Sequence, residues 1–380
     1  RRRPRHTGLQ DPPPGTGRTG VHPDPPLRPD RRGPGPRQAI PRGRGGGRRL
    51  PWPCYGNLPE AGRAGGGPHG LRCHCRHDAG NRPHALDNRR YTTDHESGSN
   101  VTIDLELPEV ETIRHALDRE IAGRKVKTVD MASMATLSRY RNRKSFALRV
   151  EGRKLGPVRR MGLTLVIKLD NDDLLVIRPG AGATIRRHAA RDAVQPGTEA
   201  TFTFTIGGQF RLVDPEGASE LCVVAPEDLL PEFPELGASG IDPAGEMVPW
   251  TAFAGQVLGR KVPLKDLLCD DAVVVGVGEV YSDEILFHAG LRHDRPSNSL
   301  STQEVRRLHG ALISVVNDAI KYRGTDLDDR PFVDVYGEPG TYRHHLAVYG
   351  RAGALSERNR SAIQRVKYKG RWTYFCETQV

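Results

Sequence analysis

The sequence predicts an α+β protein, with one N-terminal helix and a β-sandwich followed by a helical domain. Three observations carry this. A single amphipathic run opens near residue 107, short alternating runs occupy about 125–213, and from Glu227 onward the apolar residues take helical spacing.

The first helix is the most sharply written. Pro108 sits at the first helical position, where a missing N–H is no loss, and Glu106, Glu109 and Glu111 surround the positive end of the helix dipole. Val110, Ile113, Leu117 and Ile121 then repeat at spacings of three, four and four, and Gly123 closes the run. Beyond it, Lys125–Val129, Ser145–Val150, Leu163–Leu169 and Leu174–Ile177 read as strands. In Thr201–Val213, Phe202, Phe204 and Ile206 alternate with Thr, Gly207-Gly208 supplies a turn, and Phe210 and Leu212 alternate back. Trp250–Leu258, Leu264–Asp270, Tyr281–Ala289 and Thr302–Tyr322 read as helices.

Charge is divided unevenly along the 380 residues. Residues 1–100 carry 19 Arg, no Lys and 8 acidic residues, so the whole net charge of +11 lies there and 101–380 balances to zero. The same leader holds 16 of the 30 prolines and no hydrophobic period, which predicts disorder. Lysine-free Arg/Pro/Gly text is also what translation of GC-rich untranslated sequence gives, so a native start near Val101 is a second expectation. The Cys73-His74-Cys75 cluster with His69 and His77 lacks the second well-spaced pair of a zinc site. Cys222, Cys269 and Cys376 are isolated in the body, which argues against a disulfide framework. No apolar run approaches the ~20 residues of a membrane span. A cytoplasmic protein without a membrane partner is expected.

The run Glu106-Leu107-Pro108-Glu109-Val110-Glu111-Thr112 resembles the amino terminus of the formamidopyrimidine-DNA glycosylase and endonuclease VIII family, enzymes that excise oxidised bases and nick the abasic site. Leu264-Lys265-Asp266-Leu267-Leu268, followed by Gly276 through Glu284, resembles that family's helix–two-turns–helix element. Val348-Tyr349-Gly350-Arg351 through Arg371-Trp372-Thr373-Tyr374-Phe375-Cys376 is similar to its zinc-finger hairpin. The resemblance spans about 106–379. It implies a leader at 1–100, a helix and β-sandwich at 101–225, a helix–two-turns–helix domain at 226–345 and a terminal hairpin at 346–380. It further implies a monomer acting on double-stranded DNA.

Carried over residue by residue, the resemblance makes Glu106 the catalytic glutamate and puts Leu105 where the family has its nucleophilic N-terminal proline. An internal peptide nitrogen, its lone pair delocalised, cannot form the Schiff base. Read alone, Glu106 is a helix-start carboxylate. Leu163 stands at the active-site lysine, Arg178 at a histidine, and Ala181, Glu216 and Ala218 at the Met, Arg and Phe that fill the hole of a flipped base. Glu279 stands at an asparagine. Lys265 remains as a phosphate contact, Gly276 and Gly278 leave backbone amides bare for a phosphate, and Gly278, Tyr281 and Arg371 are assigned to DNA. The four zinc ligands become Ser356, Asn359, Cys376 and Gln379, so no metal and no cofactor is expected, only a zincless finger held by Tyr349, Ile363, Val366, Tyr374 and Phe375. Seven basic residues between 351 and 371, against Glu357, suit phosphate contact or merely a solvated hairpin. The expected function is a DNA-repair protein of this family, by descent a glycosylase with AP-lyase activity. The alternatives are a non-catalytic DNA-binding protein of the same fold, or a relic.

Overall fold

The structure is a computed structural model that describes residues 105–237, 240–246 and 248–380. The leader at 1–100, with its Cys/His cluster, lies outside the described residues. Helix α1 (Leu107–Ile121) begins after Glu106, with Pro108 in its first turn. Val110, Ile113, Leu117 and Ile121 are buried in the sandwich core, whereas Leu107, on the same helix, belongs to the core of the helical half. One helix thus serves two cores.

The sandwich is built from β1 (Val126–Met131), α2 (Arg143–Val150), β2 (Leu155–Met161), β3 (Thr164–Leu169), β4 (Leu174–Arg178), β5 (Thr184–His188), β6 (Thr198–Phe204), β7 (Gln209–Val213) and β8 (Glu220–Val224). The strands form two antiparallel four-stranded sheets, β1-β6-β7-β5 and β2-β3-β4-β8. Alternation sorts the second sheet's side chains. Leu165, Ile167, Leu175, Ile177, Leu221 and Val223 face the first sheet. Val166, Leu174, Val176, Cys222 and Val224 face outward, where Leu229, Phe233 and Leu236 cover them. Those three come from the short helices α3 (Leu229–Glu232) and α4 (Pro234–Gly237) and the residue between them. A sheet covered on both faces needs continuous apolar runs, which is what β3, β4 and β8 contain. In the first sheet Phe202 pairs with Phe210 in register, and their rings stack at 4.2 Å.

The helical half comprises α5 (Trp250–Leu258), α6 (Leu264–Leu268), α7 (Glu279–Ala289) and α8 (Thr302–Lys321), followed by the antiparallel hairpin β9 (Gln364–Tyr368) and β10 (Arg371–Phe375). A capping box of Ser301 and Glu304 starts α8, whose buried stripe runs Val305, Leu308, Leu312, Val315, Val316 and Ala319. Among the described residues no helix is long and apolar enough to cross a membrane.

The structure departs from the sequence reading in three places. Ser145–Val150 is helical: the Asn142 side chain accepts the Ser145 N–H at 2.9 Å, and Phe146 and Val150, four apart, are buried while Leu148 is exposed. Helical spacing, which a six-residue window hides, decides that segment. Ile206 lies in the turn and is 83% exposed, because pairing stops at Phe204. Strands β2, β5 and β8 escape the sequence reading: Gly156, Pro157 and two arginines break up β2, two arginines break up β5, and β8 offers only the four apolar residues after Glu220.

Phe146→Ala should therefore cost about 3–5 kcal/mol, as for other buried aromatics, and Leu148→Ser should stay within about 0.5 kcal/mol. Urea unfolding of the two variants checks this; equal losses would restore a strand.

Candidate nucleic-acid interface

Two glycines allow the start of α1 to reach the start of α7. The Leu107 N–H donates to the Gly276 carbonyl at 2.8 Å. Gly276 has φ +64°, and a Cβ there would lie 2.6 Å from Leu163 Cδ2. A Cβ on Gly278 would lie 2.6 Å from the Glu106 carboxyl carbon. Into that space Glu106, 7% exposed, projects its carboxylate. Oε2 accepts N–H groups from Gly278 (2.7 Å) and Tyr281 (3.3 Å), and Oε1 accepts that of Val280 (3.0 Å). A carboxylate at a helix N-terminus meets both the unpaired amides and the dipole.

The two amides expected to stay open for phosphate are therefore occupied by the chain's own carboxylates, that of Gly278 by Glu106 and that of Gly276 by Asp271 Oδ1 at 2.7 Å. Two further assignments are corrected. Lys265 is buried, with Nζ donating to Asp283 Oδ1 (2.6 Å), Ser282 Oγ (3.0 Å) and the Glu279 carbonyl (3.3 Å). It ties α6 to α7 from inside. Tyr281 is also buried; its hydroxyl donates to Glu109 Oε1 at 2.6 Å and lies 2.7 Å from Thr325 Oγ1. Arg371 is the most exposed of the four expected DNA contacts, with Nη1 2.7 Å from Glu279 Oε1, while Gly278 is partly buried.

Arg330 is the residue that sequence reasoning missed. Its guanidinium bridges Glu106 Oε1 (3.0 Å) and Glu279 Oε2 (2.6 Å), above the ring of Tyr349. It comes from the turn-rich stretch between Gly324 and Gly340, where no periodicity marks one arginine above another. Glu279 thus stands between two guanidiniums from separate segments. A parallel tie lies behind α1: buried Arg160 pairs with Glu111 at 2.8 Å and with Asp242 at 2.9 Å.

Leu105 packs, half-buried, on the sandwich core, and Leu163 packs between the two cores. The loops carrying Ala181, Glu216 and Ala218 touch each other: Gly180 N–H donates to Ser219 Oγ at 2.8 Å, and a Cβ on Gly180 would meet the Ala218 backbone. Glu216 and Ala218 are exposed there. Arg178 pairs with Glu220 (3.3 Å) and Glu235 (3.2 Å) and covers the ring of Phe233.

At the far end, Ser356, Asn359, Cys376 and Gln379 converge. The Cys376 thiol donates to Asn359 Oδ1 (3.1 Å), and its N–H donates to Gln379 Oε1 (2.7 Å). Gln379 Nε2 donates to the Leu291 carbonyl at 2.8 Å, which anchors the C-terminus. Burial pushes the Cys376 thiol up, but the hydroxyls of Ser361, Thr378 and Ser356 outweigh it and bring it down to about 7. Of the expected packing residues, Tyr349, Ile363, Tyr374 and Phe375 take part, while Val366 is 39% exposed. Buried Glu284 holds the strap before the hairpin by accepting N–H groups from Ala347, Val348 and Tyr349 at 2.8–2.9 Å. Among the described residues no three His, Cys, Asp or Glu side chains gather as a metal would require.

Comparison with known proteins agrees with this architecture. Residues 105–221 match the model of the formamidopyrimidine-DNA glycosylase N-terminal domain, and residues 239–330 match that of the formamidopyrimidine-DNA glycosylase H2TH domain. A formamidopyrimidine-DNA glycosylase of Geobacillus kaustophilus is 34% identical over 276 residues, covering 71% of this chain and 97% of the relative. The chain belongs to the formamidopyrimidine-DNA glycosylase family. Another family member, from Moorella thermoacetica, is 33% identical and covers 69% of this chain and 94% of its own length. Among solved structures, the MutM (Fpg) protein from Thermus thermophilus is 33% identical with a TM-score of 0.63, covering 72% of this chain and 97% of that one. Lactococcus lactis Fpg, in a complex with DNA containing an abasic site, is 25% identical with a TM-score of 0.65, covering 71% and 97%.

Two expected outcomes follow from the buried charges of this family member. Lys265→Met leaves Asp283 buried and unpaired, so it should lose about 3–5 kcal/mol in urea unfolding and leave the salt dependence of any DNA binding unchanged. A fall in the salt slope at full stability would instead make Lys265 a phosphate contact. The second concerns pH. Burial, and then the charge of Glu106, push the Glu109 carboxyl up to about 7. A carboxyl raised in the fold contributes stability that is complete below its ordinary value and is lost as pH rises through about 7. Glu109→Gln should flatten the decline in stability between pH 5 and 8 without abolishing it, because burial also raises Glu284 to about 7. An unchanged pH profile would contradict this.

Proposed function

We propose that this chain is a DNA-repair protein of the formamidopyrimidine-DNA glycosylase family that grips damaged or abasic duplex DNA and forms no Schiff base with it. One arrangement carries the reading: the family's glutamate is kept as Glu106 and fully engaged in joining α1 to α7, while leucines stand at both amine positions, Leu105 and Leu163. A carboxylate can move protons at a sugar, but attack at C1′ needs an unprotonated amine. The Lactococcus relative solved on abasic DNA supports duplex DNA as the partner. The loops holding Ala181, Glu216 and Ala218 offer little to fill the space of a flipped base, so discrimination of a lesion is weak.

The zinc that the family resemblance implies does not suit this donor set. Ser356, Asn359 and Gln379 bring neutral oxygens and nitrogens, already engaged with Arg358, Cys376 and Leu291, and one thiol is too few for a structural site. The finger is zincless and held by packing and by Glu284. We further take the protein as a cytoplasmic monomer, with working divisions at 101–225, 226–345 and 346–380.

Borohydride trapping on duplex carrying an abasic site or an oxidised guanine should give no covalent adduct. An adduct that Glu106→Gln abolishes would establish the catalytic glycosylase/lyase reading instead. Arg371→Ala should reduce the log–log salt slope of duplex binding by about one and weaken all sequences alike. An unchanged slope would remove Arg371 from the interface. Metal analysis of the purified protein should find well under one zinc per chain; one zinc per chain would overturn the zincless finger.

A further inference from the structure

The terminal hairpin carries an exposed tryptophan that its own interior does not need for packing. Trp372 is 45% exposed, in β10, paired across the ladder with Lys367 of β9. The guanidinium of Arg365 lies over its ring at 4.4 Å from the centroid. Residues 363–375 contain Arg365, Lys367, Lys369 and Arg371 and no acidic residue. Lys369 and Arg371 are held by Asp266 and Glu279, whereas among the described residues no ion pair joins Arg365 or Lys367 to a carboxylate. The interior of the hairpin is closed without the indole: Thr373 and Phe375 are buried, and Tyr374 packs on Tyr349.

We infer that Trp372, backed by Arg365, is a stacking platform for an unpaired nucleobase, with Arg365 and Lys367 meeting the flanking phosphates. The inference rests on the DNA-binding reading above and deepens it. Three features select this occupant. An indole offers a flat π surface on which any base stacks, and a guanidinium against it adds a cation–π contribution while leaving the rest of the ring to solvent. Arg365 and Lys367, with no acid on their two-stranded ribbon, match a polyphosphate backbone. The apolar surface at the tip amounts to Trp372 and Val366, too little to enter a bilayer. Stacking requires a base outside the duplex, so the ligand is single-stranded DNA or a strand opened beside a lesion or gap.

The test is a titration of the full chain at low salt, read by intrinsic fluorescence and by affinity. One ligand is oligothymidylate, and the other is a tetrahydrofuran backbone of equal length and charge that lacks bases. The inference expects oligothymidylate to quench the tryptophan emission and to bind more tightly than the base-free strand. Trp372→Leu should weaken oligothymidylate binding by about ten-fold, within the range base–aromatic stacking gives, and leave the base-free strand unaffected. Trp372→Phe should keep most of the affinity and lose the quench. Equal affinity of the unaltered chain for the two strands would overturn the inference, and that comparison stands even where Trp372→Leu does not fold. A blue shift on phosphatidylserine vesicles with no response to oligothymidylate would also overturn it. Duplex binding that survives without any quench removes the platform alone; failure to bind duplex or either strand removes the DNA-binding reading too.

Discussion

The carboxylate of Glu106 joins the first turn of α1 to the first turn of α7, and the two halves of the body are oriented by that junction. Three amides and one guanidinium converge on it. Hydrogen bonds to a charged group each contribute about 1.5–3 kcal/mol, so the junction ranks with a large buried side chain. Gly276 and Gly278 are required for it, since a methyl group at either would strike Leu163 or Glu106 itself. Pro108 and Leu107 follow directly: the first helps start the helix that presents the carboxylate, and the second plugs the helical core beneath it.

Charge around this junction is settled within the chain. Arg330 answers Glu106 and Glu279, Arg371 answers Glu279, Lys265 answers Asp283, and Arg160 answers Glu111 and Asp242. This is the structural face of a body whose formal charges balance to zero. Duplex binding by such a surface depends on the few cations that remain unpaired or that can exchange a carboxylate for a phosphate. Glu279 is the partner most directly in competition, because it occupies two guanidiniums at once.

Much of the fold is legible in the sequence because its helices and central strands keep strict spacing. Val110, Ile113, Leu117 and Ile121 lie in the core as their period requires, and the helix expected at Trp250–Leu258 has those bounds. Ser145–Val150 misleads because six residues do not separate a period of two from one of 3.6, and the Asn142 cap lies outside them. At the site, Glu106 is legible through the run that contains it. The interior positions of Lys265 and Tyr281 are not, because a lone Lys or Tyr on a short helix faces core or solvent according to partners such as Asp283 and Glu109 that are distant in pattern. The Gly278 amide, which the sequence reading leaves bare for a phosphate, donates to Glu106. Arg330 has no sequence signal, since its role depends on a loop folding back across more than 200 residues.

Amide hydrogen exchange in Glu106→Ala tests the junction most directly. In the unaltered protein the Gly278, Val280 and Tyr281 amides should be among the well-protected sites of the helical half. The substitution should release all three together, while the β6 and β7 amides around Phe202 and Phe210 keep their protection. If those three amides already exchange freely in the unaltered protein, or if Glu106→Ala leaves their protection unchanged, the carboxylate does not hold the two halves together and the account built on it is wrong.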